Sequence, residues 1–413
     1  MGEPAREDRN PHRANHRDRG GEGVLIAGRR RPLAVTSIAA RRLLAHRLIG
    51  KPFASPIEAV RGLAAVQSQD YAGATWALGQ RCRRVTEATI GHLFDEGAIL
   101  RTHVMRPTWH FVLPEDIRWL LDLTSPRLRQ GLVARYRALE LDDKVVARAS
   151  AAFAAALTGR HLTRAELSEV LRAAGISPEG QRLPHLIMRA ELDGLIVSGP
   201  RRGKQFTYAL LTERAPKART LDRSEALEDL TRRYFRSHGP AQLQDLVWWS
   251  GLTVADARTG IALAGTALDH EAVEGKDYWF DSKPGPAVDA EGAVHLLPNF
   301  DEYTVAYRDR AAALHADRPF DPAFFSFGSI LANVVTVGGK VLGAWRRTSA
   351  RAGVNVEVRA LDRFEPAEAD AIEKACRRLG RFIARPVELT LHNSAIGRKS
   401  RAVQRRSPQR QSL

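Results

Sequence analysis

Cysteine is nearly absent: the 413 residues include only Cys82 and Cys376. Two thiols cannot build a disulfide framework, a four-thiolate zinc site or an iron–sulfur cluster. So few suit a reducing cytoplasm. A long apolar run is missing too. The N-terminus is polar and Arg-rich, without the apolar core of a signal peptide. The one extended apolar stretch, Ser329–Trp345, is broken by Gly338-Gly339-Lys340, which reads as a β-hairpin rather than a membrane helix. There is no GxxxxGK[ST], no HExxH and no Gly-rich dinucleotide loop in the required context. Nucleotide-driven and zinc enzymes of the usual types are disfavoured, and no cofactor or metal is expected.

Acidic residues are in short supply as well. Lys and Arg number 63 against 47 Asp and Glu, a formal charge of +16. Such an excess favours a polyanion, either nucleic acid or an anionic membrane surface. Residues 1–34 carry +3, from eight Arg against five acids, and residues 394–413 carry +6 with no acid, so +7 stays on the body. The 44% hydrophobic and 27% charged fractions are those of a soluble globular protein. The length allows two to four domains.

Residues 1–35 and 393–413 lack periodicity and read as disordered basic tails. The Arg29-Arg30-Arg31 run is either solvated or touches phosphate. Between the tails the pattern repeats. Ile38, Leu43, Leu44 and Leu48 give one helical face, and Ser55-Pro56 opens a second helix. Thr86 caps a third, which Gly97 stops. Ile99–Val112 alternates and reads as a strand pair turning near Arg106-Pro107, closing a first unit at 36–125. A second, 150–212, has helices at Arg164–Ala174 and Gln181–Gly194, then a hairpin over Ile196–Leu211. A third, 222–283, has helices opening at Ser224, Leu243 and Val254, then strands at Ala267–Val273 and Tyr278–Asp281. Helices followed by a two-stranded wing make a winged helix, so three in tandem are expected. After Pro284-Gly285-Pro286, residues 284–392 read as β-rich. Their strands are Val294–Leu297, Val334–Val337, Val341–Trp345, Val354–Leu361 and Val387–Leu391, with one helix, Pro366–Ile383. The expected class is α+β.

The polar cluster Gln67-Ser68-Gln69-Asp70 ends an apolar helical run and is the first candidate for chemistry. Gln67 and Gln69 share a face only if the chain is extended there; on a helix they would lie about 200° apart. Two carboxamides can orient a water and hydrogen-bond a sugar or base edge, but they are poor general bases. The alternative is that the glutamines and Asp70 simply cap the helix and tie it to its neighbour. His110, between aromatics in a strand, reads as core more readily than as a functional contact. Arg101, Arg106, Arg201, Arg202 and Lys204 sit on or near the wings, where cations meet phosphate in winged helices. With His110 they make the candidate DNA-binding set, though exposed Arg runs are also commonly just solvated. The adjacent carboxylates Asp301 and Glu302 suggest pairing with Arg308 or Arg310 more than a metal or acid–base site.

Four segments carry a resemblance: VQSQDY (Val66–Tyr71), LRTHVMRPTWHFV (Leu100–Val112), LIMRAELDGLIVSG (Leu186–Gly199) and LLPNFDEYTVAYRDR (Leu296–Arg310). In this order, inside three winged-helix patterns, they resemble the winged-helix DNA glycosylases of the AlkZ and YcaQ type. That family's motif, Gln-Φ-Gln in the AlkZ branch and Gln-Φ-Asp in the YcaQ branch, falls on Gln67-Ser68-Gln69. Ser68 departs from the aliphatic middle position. The resemblance implies that Gln67 and Gln69 are catalytic. It implies monofunctional removal of bulky N7-alkylated purines from double-stranded DNA, including the unhooking of interstrand crosslinks, in repair or in self-resistance to alkylating agents. It also implies three winged helices and a C-terminal β-barrel forming a concave cradle. A cytoplasmic, nucleoid-associated monomer with no membrane partner is the matching expectation. The rival reading is a non-catalytic DNA-binding protein such as a transcriptional regulator.

Overall fold

Ser37 accepts a hydrogen bond from the Ala40 amide and opens α1 (Ile38–Ala45) in the computed structural model. Residues 37–283, 285, 288–314, 333–351, 353–361 and 363–392 are described. Both tails, Arg29-Arg30-Arg31, Pro284 and Pro286 lie outside them. Ser55 caps α2 (Pro56–Leu63) with Pro56 in its first turn, and this helix ends before the Gln cluster. The chain turns extended as β1 (Val66–Gln67), then re-enters a helix, α3 (Tyr71–Arg81), with Asp70 as its N-cap. Thr86 caps α4 (Glu87–Glu96), and Gly97 stops it in the left-handed region. The hairpin β2 (Leu100–Val104) and β3 (Arg106–Val112) follows, and β1 adds to it in the order β1-β3-β2.

Two long helices fill an interval to which the sequence pattern assigns nothing: α5 (Ile117–Ala138) and α6 (Asp143–Leu157). Helix α5 runs unbroken through the boundary expected at 125, with Pro126 inside it. Beyond lie β4 (Leu162–Thr163), α7 (Arg164–Ala173), α8 (Arg182–Leu192) and the hairpin β5 (Ile196–Ser198) and β6 (Thr207–Leu210). Their sheet order, β4-β6-β5, repeats the arrangement of the first hairpin. A short α9 (Leu211–Arg214) leads to α10 (Arg223–His238), α11 (Leu243–Ser250), α12 (Val254–Ala264) and the pair β7 (Leu268–Val273) and β8 (Lys276–Asp281).

The last part contains β9 (Val294–Leu297), α13 (Glu302–Val305), β10 (Val334–Val337), β11 (Lys340–Ser349), β12 (Val354–Ala360), α14 (Pro366–Ile383) and β13 (Val387–His392). The five strands form one sheet, β13-β12-β11-β10-β9. This corrects the expected barrel: among the described residues the sheet is open, with β9 and β13 at its edges. The β12–β13 pair is parallel, because α14 crosses between them and a parallel pair needs such a crossover. Helix α14 buries Ile372, Cys376, Leu379 and Phe382.

Two contacts fix the Gln cluster in space. Helix α3 is held to β9, since Trp76 Nε1 and Gln80 Nε2 both donate to the Leu296 carbonyl at 2.7 and 3.1 Å. Phe382 lies so close to Gly79 that a Cβ there would come within 2.5 Å of its ring. The first hairpin is pinned from the other side. Its turn residue Met105 is buried, with φ +62°, and a Cβ at Gly251, the cap of α11, would meet the Met105 carbonyl at 2.2 Å. The first hairpin therefore packs its turn into the body. Accordingly, one apolar core joins that hairpin and α5 to α10, α11, α12 and Tyr307, and a second joins α2, α3 and α4 to the C-terminal sheet.

Candidate active site at the Gln67-Ser68-Gln69 motif

Helix α2 ends because Ala64 takes a positive φ of 65°, which no helical residue can. The next residues pair antiparallel with β3, placing Val66 opposite Phe111 and Gln67 opposite His110. Ser68 N donates to the Trp109 carbonyl at 2.7 Å. Cross-strand partners share a face, and Thr102 of β2 is also opposite His110, so Gln67, His110 and Thr102 form a row. Gln67 and Ser68 are buried, whereas Gln69 is exposed.

Both carboxamide oxygens of the motif have defined partners. Gln67 Oε1 accepts from Arg106 Nη2 at 2.7 Å, and the Gln67 amide donates to Glu302 Oε1 at 2.6 Å. Gln69 Oε1 accepts from the Trp109 amide at 3.3 Å. Guanidinium and peptide N–H groups only donate, so both carboxamides must present oxygen to these partners and keep NH2 free. Arg101 Nε holds the Ser68 carbonyl at 3.1 Å, and its guanidinium lies 4.4 Å from the Trp109 ring centroid. His103 covers Trp109 at 4.4 Å between ring centroids and pairs with Glu191. Asp70 caps α3 through the Gly73 amide at 3.2 Å. Asp70 is thus the helix cap, while the bonds of the two glutamines tie the segment to the neighbouring strand β3.

Glu302 is the residue whose partners differ most from the sequence expectation. It does not pair with Arg308 or Arg310. Oε1 takes the Gln67 amide, Oε2 accepts from Trp249 Nε1 at 2.8 Å, and His238 Nε2 lies 3.4 Å from Oε2. Burial alone would raise its carboxyl, but His238, Arg106 and the Gln67 amide outweigh it and hold Glu302 well below the usual range. Asp301 pairs with Arg81 instead, through bonds of 2.7 and 2.9 Å. The adjacent acids are visible in the sequence; their partners, on α3 and β1, are not.

The expected DNA contacts divide. His110 is completely buried, which favours the core alternative. Its Nδ1 bonds the Thr108 carbonyl at 2.9 Å, while burial and the Arg106 charge lower its pKa to about 3. Its Nε2 has no partner among the described residues. Arg101 and Arg106 are half-buried and engaged with the motif. Burial lowers both below the ordinary guanidinium value. Arg201 is not a free tip cation, since its guanidinium forks onto Asp95 at 2.9 and 2.7 Å and ties the second hairpin to α4. Arg202 is exposed while holding Glu166 at 2.8 Å, and Lys204 is exposed with no partner among the described residues. No helix of the described residues is long and apolar enough to cross a membrane.

No curated protein matches the chain. Among solved structures, the Streptomyces sahachiroi DNA glycosylase AlkZ superposes with a TM-score of 0.69 at 20% identity, over 86% of this chain and 98% of that one. The two share a fold. A sequence model described as DNA glycosylase AlkZ-like matches residues 60–382, most of the chain, and on that ground the protein belongs to the AlkZ-like DNA glycosylase family.

Proposed function

We propose that this DNA glycosylase hydrolyses the N-glycosidic bond of bulky N7-alkylated purines in duplex DNA, including those bridged as interstrand crosslinks. In this reading Gln67 and Gln69 are the catalytic pair. The three helix-and-hairpin segments at 36–125, 150–212 and 222–283 act as winged-helix units around the duplex, with 284–392 behind them. The protein works as a monomer at the nucleoid. Arg202 and Lys204 meet phosphate, while Arg101 and Arg106 shape the motif.

The carrying observation is that the helix ends before Gln67, which lies in β1, with both carboxamide oxygens fixed and Gln69 at the surface. Alkylation at N7 makes the purine cationic and weakens its bond to the sugar. The base then departs without needing a proton, and positioning of water and stabilisation of the sugar cation remain to be supplied. Each glutamine keeps an NH2 and one oxygen lone pair for this purpose. The motif itself contains no lysine to serve as a Schiff-base nucleophile, and the reading is hydrolysis without a lyase step.

The test is single-turnover excision of one N7-alkylguanine in a duplex, read as abasic-site cleavage. Gln67→Ala and Gln69→Ala are each expected to slow excision by about 10²–10³-fold, with melting and DNA affinity kept near wild type. Wild-type rates in both variants would make the motif structural. Failure of the wild type on several N7 adducts, a crosslink included, would leave the non-catalytic DNA-binding reading.

A further inference from the structure

Two neutral carboxamides supply no negative charge to a reaction that gathers positive charge. The nearest cation makes matters worse: Arg106 sits 2.7 Å from Gln67 Oε1, where a cationic base and a cationic sugar are to be received. A counter-charge stands directly behind the strand. Glu302 is fully buried, and its carboxylate grips the Gln67 backbone at 2.6 Å. Trp249 Nε1 at 2.8 Å fixes its other oxygen, and His238 Nε2 lies 3.4 Å from it. Arg106 on the side chain and Glu302 on the backbone thus bracket one residue, Gln67. The carboxylate has no route to solvent, so its field is poorly screened.

We propose that Glu302 is a positioning residue for excision, fixing Gln67 from behind and offsetting the charge of Arg106 so that positive charge is accepted beside the motif. This rests on the excision reading. During the step, the bond from C1′ to N9 breaks and its electron pair neutralises the cationic base. A water oxygen bonds C1′ and releases its proton to solvent. Glu302 touches none of these atoms and acts through Gln67.

Glu302→Gln removes the charge and keeps one acceptor. Its new NH2 would face the Trp249 N–H, so Glu302→Gln/Trp249→Phe is made alongside to relieve that opposition. Both are expected to lose about 10–100-fold in single-turnover excision of N7-methylguanine, a smaller loss than that of a group acting directly on the reacting atoms. Affinity for undamaged duplex should stay within about twofold. Because Glu302 acts through Gln67, adding Glu302→Gln to Gln67→Ala should cost less than about twofold more, the non-additivity of groups that work as a unit. Full recovery in the Trp249→Phe pair would overturn the charge offset, and a full additional loss in the Gln67→Ala background would overturn action through Gln67. Amide exchange at Gln67, measured in Glu302→Ala, reports the anchoring without catalysis. A rise of about tenfold or more is expected, and unchanged exchange overturns the anchor. A wild type that excises nothing refutes the excision reading, whereas an active wild type with equally active Glu302→Gln refutes this inference alone.

Discussion

Asp301→Asn tests how firmly the body holds the motif. Arg81 and Asp301 are 1% and 0% exposed in their side chains, so the substitution leaves a guanidinium buried without its carboxylate. Breaking a buried pair from one side costs about 3–5 kcal/mol. Arg81 keeps the Ala77 carbonyl at 3.0 Å and feels the Glu302 charge, which argues for the lower end, about 3 kcal/mol. With about 2.1 cal/mol/K of unfolding entropy per residue over roughly 300 cooperative residues, that lowers Tm by about 5 °C. The carboxamide oxygen of the variant can still accept from the Tyr303 amide, which Asp301 now holds at 2.9 Å, so the loss isolates the ion pair. Circular dichroism melts and urea titrations measure it. Arg81→Met in the same background should recover part of the loss, because a methionine beside the asparagine leaves no stranded charge. A change of less than about 0.5 kcal/mol in Asp301→Asn alone would refute the reasoning.

Other outcomes follow from the same contacts. Burial lowers His46 and His238 and brings His110 to about 3 and His295 to about 4. The unfolded imidazoles gain protons below about pH 6.5 that the folded ones refuse. Stability is therefore complete above that pH and declines as pH falls, by up to ~1.4 kcal/mol per unit for each histidine; urea midpoints equal at pH 7.5 and 5 would contradict this. Ser68 is buried with Oγ unpartnered, so Ser68→Ala should hold or gain up to about 1 kcal/mol with excision intact; a melt well below wild type would expose a hidden partner. Arg202→Gln/Lys204→Gln should flatten the salt slope of duplex binding by up to about 2, whereas Arg201→Gln should lower stability instead. An unaltered slope in the pair would move the phosphate contacts elsewhere.

Local signals in the sequence are readable where they are strong. Ser55-Pro56, Thr86, Gly97 and the alternation from Leu100 to Val112 each stand where a cap, stop or strand forms. The elements that escape lack such signals. Helix α3 is buried on nearly every side, so no apolar stripe marks it. The second half of α5 is exposed on nearly every side and contains Pro126, which reads as a stop. The end of the helix before Gln67 can be posed from spacing but not decided. The partnership of Gln67 with Glu302 joins positions 235 apart, and nothing local encodes it. Arg201 looks like an exposed tip cation in the sequence because Asp95, its partner, lies 106 positions away.

The grip of Glu302 on Gln67 also sets an order in time. The ribosome releases the glutamines early, soon followed by Arg106 and Trp109, which hold their side chains, yet Glu302, which holds the Gln67 amide, emerges only after most of the chain has been made. Contacts so distant along the chain form late in folding. A nascent or truncated chain ending before Asp301 carries the whole Gln67-Ser68-Gln69 sequence without its anchor. The expected consequence is that full excision activity appears only once synthesis has passed α13, so unfinished chains release few bases.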